Sequence, residues 1–432
     1  MQNNSNHVQV NLNLNVRGIP QSATIRINEL SEELKNQGKV VHKFGLGQSP
    51  FPVPEPVVEA LRLNAYQKDY LPTKGLKALR ESVSEYFYRK QGVAYTWEDV
   101  LIGPGSKELM FLLQLVYYGD LIIPTPSWVS YAPQAHIIGR HVGWIPTRKE
   151  NCWRLTPDQL DKYCKDDPER PRILILNYPS NPSGCSFNKK ELEALASVAK
   201  KYKIILLSDE IYGELDHEGN HISISRFYPE GTIVSSGLSK WCGAGGWRLG
   251  IFIFPDSMRW LLNAMTAVAS ETFTSTSAPI QFAAVRAFKG GIEIERYLSQ
   301  SRRILKVIGM EIYRKLSKAG VTLPVPTGGF YLFADFSKFK KQLLKKEIYT
   351  SQQFCTKLLE DTGVAILPGT VFGRPEEEYT ARIAYVDFDG ANALAHAEFI
   401  PMDKNLNEKF LQDCCGRIIE ATDKIILWLN NL

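Results

Sequence analysis

Short unbroken apolar runs alternate with helical patterns through the middle of this chain. Val100-Leu101-Ile102 stops at Gly103-Pro104-Gly105, and a helical pattern follows from Ser106 to about Tyr118. Leu121-Ile122-Ile123 reads as a strand that stops at Pro124. Arg172-Ile173-Leu174-Ile175-Leu176 precedes a helix from about Lys189 to Tyr202, and Ile204-Ile205-Leu206-Leu207 comes next. Thr232-Ile233-Val234 and Leu249-Gly250-Ile251-Phe252-Ile253 complete the series. Continuous β-branched runs suit strands buried on both faces, and their alternation with helices predicts a mainly parallel α/β sheet.

The pattern turns helical from about Ile292 to Ala319, a length expected of a connecting helix. Beyond it lie Gly329-Phe330-Tyr331-Leu332-Phe333, Val364-Ala365-Ile366-Leu367 and Arg382-Ile383-Ala384-Tyr385-Val386, with helices around 351–361 and 408–431. This reads as a second, smaller α/β domain. A chain of 432 residues is too long for one hydrophobic core. The expected division is a mobile arm over 1–24, an N-terminal part of the small domain over 25–60, a large domain over 61–300, and a small C-terminal domain over 301–432.

Polar constellations sit at the ends of these strands, where open α/β sheets bind ligands. Gly103 to Lys107 follows one strand, Asn177 to Gly184 a second, and Ser208-Asp209-Glu210-Ile211-Tyr212 a third. The fourth is Ser236-Gly237-Leu238-Ser239-Lys240, with Gly245-Gly246-Trp247-Arg248-Leu249-Gly250 soon after. A lysine that forms a Schiff base needs a flexible amine in a tight, partly dry pocket. An anionic group beside it needs an arginine and open backbone N–H donors. This segment holds both.

Composition narrows the partners. Hydrophobic residues make up 44% and charged residues 22%, as in ordinary globular proteins. The net charge of +5 is a small excess with no basic tract, so no nucleic-acid partner is expected. The seven cysteines are odd in number and form no Cys-x-x-Cys pair. Reduced thiols of a cytoplasmic protein are expected, and no metal site. Met1 to Asn15 is polar and Asn-rich, unlike a signal peptide, and no run of eighteen apolar residues suggests a membrane span.

Together these segments resemble the class I/II aminotransferases, pyridoxal-phosphate enzymes of fold type I, from about Ile25 to the C-terminus. The lysine signature carries most of the likeness: Gly237 and Ser239 before Lys240, then Gly243, Ala244, Gly246, Arg248, Leu249 and Gly250. The resemblance implies pyridoxal 5′-phosphate as cofactor, with Lys240 as its Schiff-base lysine and proton shuttle. Asp209 would keep the pyridine nitrogen protonated, since a buried carboxylate raises the pKa of a neighbouring base. Tyr212 and Asn181 would reach the phenolate oxygen, with Asn181 also near substrate. Gly105, Ser106, Lys107, Ser239 and Arg248 would form the phosphate end. Trp128 would stack on the ring, a contact of about 1 kcal/mol.

Tyr70 matches the tyrosine that relatives lend to the neighbouring subunit's phosphate, which implies a homodimer with shared active sites. Arg382 matches the arginine that holds the substrate α-carboxylate, with the Gly47 N–H beside it. Lys107 matches a lysine that binds a distal carboxylate in one bacterial branch of aspartate aminotransferases. Phe330 and Tyr331 could line the same pocket and admit an aromatic substrate. Two positions depart from the pattern: Gly237 stands where relatives have Ser, and Ser183 where Thr is more usual.

The resemblance therefore implies a ping-pong transfer from an L-amino acid, aspartate-type preferred, to a 2-oxo acid such as 2-oxoglutarate. An aromatic or kynurenine-type aminotransferase remains open. So does a lyase or aminocyclopropane carboxylate synthase of the same fold. A non-catalytic regulator with this fold is disfavoured, because the N-terminal arm is too short for a DNA-binding domain.

Overall fold

The structure is a computed structural model that describes residues 11–19 and 23–432. Most of the arm expected over 1–24 lies outside the described residues; 11–19 are exposed and contain one turn.

The apolar runs form β1 (Val100–Gly103), β2 (Asp120–Thr125), β3 (Val142–Pro146), β4 (Arg172–Asn177), β5 (Ile205–Asp209), β6 (Thr232–Gly237) and β7 (Gly250–Ile253). They make one sheet in the order β1-β7-β6-β5-β4-β2-β3. β7 is antiparallel to both of its neighbours, and the remaining pairs are parallel. Every residue of β1, β5, β6 and β7 is buried, so these strands read as continuous apolar runs rather than alternating ones.

Helices α1 (Ser106–Val116), α2 (Tyr131–Ile137), α3 (Lys189–Lys201), α4 (Arg259–Thr272) and α5 (Ile292–Lys318) accompany the sheet. Leu109 and Leu113 of α1 and Leu261 of α4 share a core with Ile123, Ile175 and Leu207. Leu192 and Leu195 of α3 share another with Ile122, Leu174 and Leu206. Consecutive strand residues thus enter opposite cores, as the period-two geometry of a strand requires. α3 is started by a reciprocal cap: the Asn188 side chain accepts from the Glu191 N–H, and the Glu191 carboxylate accepts from the Asn188 N–H.

β2 does not stop at Pro124 as expected. It pairs with β4 only over Asp120 to Ile122, so at Pro124 only the β3 side is paired, and a residue without an N–H is tolerated there.

A second, antiparallel sheet contains β8 (Tyr331–Asp335), β9 (Leu367–Pro368) and β10 (Thr380–Ala384), in the order β9-β10-β8. Helices α6 (Ser351–Thr362) and α7 (Glu408–Asn430) accompany it. The run from Val364 to Leu367, expected as one strand, divides between two sheets. Val364–Ala365 pairs in parallel with His42–Lys43, while Leu367 and Pro368 pair with β10. An unforeseen helix, Ala23–Asn36, places Ile27, Leu30 and Leu34 against Val41, Leu359 and Ala365. Residues near the start of the chain therefore pack with its C-terminal part. Ile304, Ile308 and Ile312 of α5 lie in a core with both Ile251 of β7 and Leu332 of β8.

Candidate active site

Asp209 ends β5, in register with Asn177 of β4 and Ser235 of β6. It is 3% exposed. The Tyr131 hydroxyl donates to its Oδ2 at 2.5 Å, and the Ser235 hydroxyl lies 3.5 Å from its Oδ1. Asn177 fixes the backbone here: its Nδ2 donates to the Asp209 carbonyl at 2.9 Å, and its Oδ1 accepts from the Asn181 N–H at 2.7 Å. Burial pushes the Asp209 carboxyl up to about 6 against the opposing pull of the Tyr131 hydroxyl, the Ile211 N–H and Ser235, with the Glu210 charge adding to the rise. A cationic N–H placed beside it would restore the ionised form.

Lys240 follows β6. Its Nζ donates to the Gly47 carbonyl at 2.9 Å and lies 5.7 Å from the centre of the Tyr212 ring. Burial, and then the Arg382 charge, lower its pKa to about 8; Asp209 opposes this, while Arg248 and Lys107 add to it. The neutral, nucleophilic amine is therefore accessible near neutral pH.

Three glycines lie in register across the end of the sheet: Gly103 of β1, Gly250 of β7 and Gly237 of β6. A Cβ on Gly250 would come within 2.1 Å of the Ser106 nitrogen. Only bare backbone lets the N-terminus of α1 lie this close to the sheet. Gly105 precedes the helix at φ +94° and packs against the Arg248 guanidinium, where a Cβ would sit 2.1 Å from Nη2. Arg248 is held by the carbonyls of Gly245 at 2.9 Å and Pro104 at 3.4 Å. Helix-terminal N–H groups, a guanidinium and the nearby Ser106 and Ser239 suit a dianion.

Arg382 of β10 is 2% exposed, and its guanidinium lies 4.7 Å from the Tyr331 ring centre and 5.0 Å from that of Phe372. Nη1 donates to Asn181 Oδ1 at 3.0 Å and Nη2 to the Gly45 carbonyl at 2.5 Å. Nε is buried without a partner. Among the described residues no carboxylate pairs with this cation, and burial lowers its pKa. A buried cation without a counter-ion is costly, so the arrangement favours an anionic ligand.

These elements border one cavity of about 590 Å³. Lys240, Asp209, Tyr212 and Asn181 line it, as do Ser106, Lys107, Ser239 and Arg248. Gly47 and Trp128 line it too. Gly105 lies behind Arg248, and Arg382 reaches the site through Asn181. Tyr70 is not brought there: it is 89% exposed. The Lys107 side chain is open to the cavity, with Nζ 5.1 Å from the Trp128 ring centre; partial burial and the Arg248 charge lower its pKa.

Phe330 and Tyr331 do not line the cavity as expected. Both are buried, and the Tyr331 hydroxyl instead lies 2.8 Å from the Tyr212 hydroxyl. Tyr131 and Asn177 line the site without having been singled out as site residues. Their signals were a tyrosine one helical turn after Trp128 and a polar residue closing an apolar strand.

The sequence matches the family described as "Aminotransferase class I and II" over residues 39–396. The chain belongs to the class I and II aminotransferases. It is a pyridoxal-phosphate-dependent transaminase of fold type I. The aspartate aminotransferase of Geobacillus stearothermophilus is 33% identical over 381 residues, covering 86% of this chain and 93% of the relative. The asparagine–oxo-acid transaminase of Streptococcus mutans is 32% identical over 388 residues, 87% of this chain and 94% of the relative. The solved aspartate aminotransferase of Thermus thermophilus with maleate has a TM-score of 0.82 at 27% identity, over 97% of this chain and 99% of that one.

The residues of this aminotransferase fit its cofactor. The glycine-lined α1 terminus with Arg248 suits the phosphate, the buried Asp209 suits a ring cation, and the Lys240 amine lies within the same cavity. No helix among the described residues is long and apolar enough to cross a membrane.

Proposed function

We propose that this aminotransferase takes an aspartate-type amino donor and passes the amine to a 2-oxo acid such as 2-oxoglutarate. The observation that carries the choice is Lys107: its ammonium faces the cavity, and among the described residues no carboxylate pairs with it. A substrate with carboxylates at both ends would satisfy Arg382 with one and Lys107 with the other. The aspartate aminotransferases among the similar proteins support the same reading.

Pyridoxal phosphate, when bound, supplies the electron-withdrawing ring that makes the substrate Cα–H acidic. In this reading Ser106, Ser239, Arg248 and the first-turn N–H groups after Gly105 hold the phosphate, Lys107 contributing its own N–H. Asp209 holds the proton on the ring nitrogen. Trp128 would lie against the ring, and Asn181 and Tyr212 would donate to its phenolate oxygen. Arg382 and the Gly47 N–H hold the α-carboxylate. Lys240 would take the proton from the substrate Cα onto its Nζ and hold it there for transfer. Its lowered pKa suits that work, because a base near the operating pH both accepts and releases the proton readily.

The division expected from the sequence completes the proposal: a large domain over 61–300 bearing Lys240 and Asp209, and a small domain over 25–60 and 301–432 bearing Gly47 and Arg382. Closure of the second over the first would exclude water. Tyr70, exposed and away from its own cavity, is assigned to the partner subunit's phosphate in a cytoplasmic homodimer.

An amino-donor panel tests the substrate, with Lys107→Ala assayed on aspartate and on phenylalanine. A selective loss of kcat/KM with aspartate is expected, at least tenfold for one charged hydrogen bond. Equal losses with both donors would sink the acidic reading.

A further inference from the structure

One buried phenol in the site has no part in the mechanism above. Tyr131 opens α2 and is 1% exposed. Its hydroxyl donates to Asp209 Oδ2 at 2.5 Å. The ring is fixed by edge-to-face contact with Trp128, centroids 5.2 Å apart at 82°. Burial and the Asp209 charge raise the phenol well above its ordinary pKa, so it stays protonated and remains a donor throughout the working range.

Other groups face the carboxylate differently. Ser235, from β6, sits at 3.5 Å from the other oxygen, and Asn177, from β4, engages only the backbone carbonyl. Glu210, Tyr212 and Lys240 act on it or are acted on by it through charge. The Glu210 carboxylate is itself bonded to Ser208, Ser223 and His221. Tyr131 is thus the side chain among the described residues that gives Asp209 a short, well-formed hydrogen bond.

We propose that Tyr131 is a positioning residue that keeps Asp209 ionised and aimed, and so sets how firmly the site holds a proton on the cofactor's ring nitrogen. The proposal rests on the role given above to Asp209. Removing the hydroxyl leaves a buried carboxylate oxygen without its donor, which favours the protonated acid. Tyr131→Phe keeps the ring and its packing. The Asp209 proton affinity is expected to rise about tenfold, or roughly one pH unit.

The test is infrared titration of the cofactor-free protein, wild type and Tyr131→Phe, with Asp209→Asn subtracted to assign the carboxyl band. A midpoint raised by about one unit in Tyr131→Phe, with cofactor binding weakened in the pH range between the two midpoints, supports the proposal. An unchanged midpoint overturns it. A shifted midpoint with cofactor affinity unaltered in both variants overturns the role of Asp209 instead, and leaves only the hydrogen bond standing. If Tyr131→Phe does not fold, the wild-type minus Asp209→Asn spectrum decides. A tyrosine C–O band moving with the carboxyl midpoint supports the coupling, and its absence overturns it.

Discussion

Replacing Asp209 with asparagine is expected to remove a pH-dependent weakness from the cofactor-free protein. Its carboxyl moves from an ordinary 3.8 when unfolded to about 6 when folded, chiefly through burial. The folded state therefore binds the proton more tightly than the unfolded chain. Its contribution to stability is full below about pH 4 and is lost as pH rises through 6. The shift corresponds to about 3 kcal/mol between the two limits, of which about 2 kcal/mol falls between pH 4.5 and 7.5. Against a typical total of roughly 5–15 kcal/mol that is measurable. Urea unfolding of cofactor-free wild type and Asp209→Asn at those two pH values gives the comparison. The variant should gain about 2 kcal/mol on the wild type as pH rises. Parallel pH profiles, or a gap that closes with rising pH, would refute the claim that Asp209 is buried at a cost in the empty site. Cofactor binding should flatten the wild-type profile, because a ring cation neutralises the carboxylate.

Other perturbations address the remaining parts of the site. Gly105→Ala combines a positive φ with a clash against Arg248, and the loss of one charged contact plus strain should weaken cofactor binding about a hundredfold in an absorbance titration. Arg382→Lys loses the planar fork and the stacking on Tyr331, so kcat/KM should fall roughly thirtyfold or more for amino and oxo acids alike. Mixing Tyr70→Ala with Lys240→Ala protein should restore some activity if subunits exchange and share sites; persistent inactivity of the exchanged mixture would count against the shared site.

The strands of the large sheet were readable because both their faces are buried, so no polar alternation interrupts them. Asp209 and Lys240 were readable because each follows such a run, and the flanks of Lys240 are distinctive. What escaped depends on contacts between distant segments. Asn177 matters because cross-strand register sets it beside Asp209, and Tyr131 because its hydroxyl reaches the Asp209 carboxylate; the local signals at both positions say nothing of these partners. The split of Val364 to Leu367 depends on which neighbours each half meets. The helix Ala23–Asn36 begins at the end of the expected arm and lies mostly in the stretch given to the small domain, where no helix is expected.

The glycine rung across the sheet end bears on how this enzyme could change. A side chain at Gly237, where relatives carry serine, would begin 2.6 Å from the Leu249 carbonyl. A single Gly237→Ser step cannot restore the hydroxyl without moving the backbone of the adjoining strand. The anion cradle then has Ser106 and Ser239 beside the Arg248 charge and the helix N–H groups, with no hydroxyl from position 237, and cofactor retention should fall with ionic strength in proportion to the share that Arg248 carries. The sheet end that lets a helix terminus come so close has thereby closed one mutational route to a further phosphate ligand.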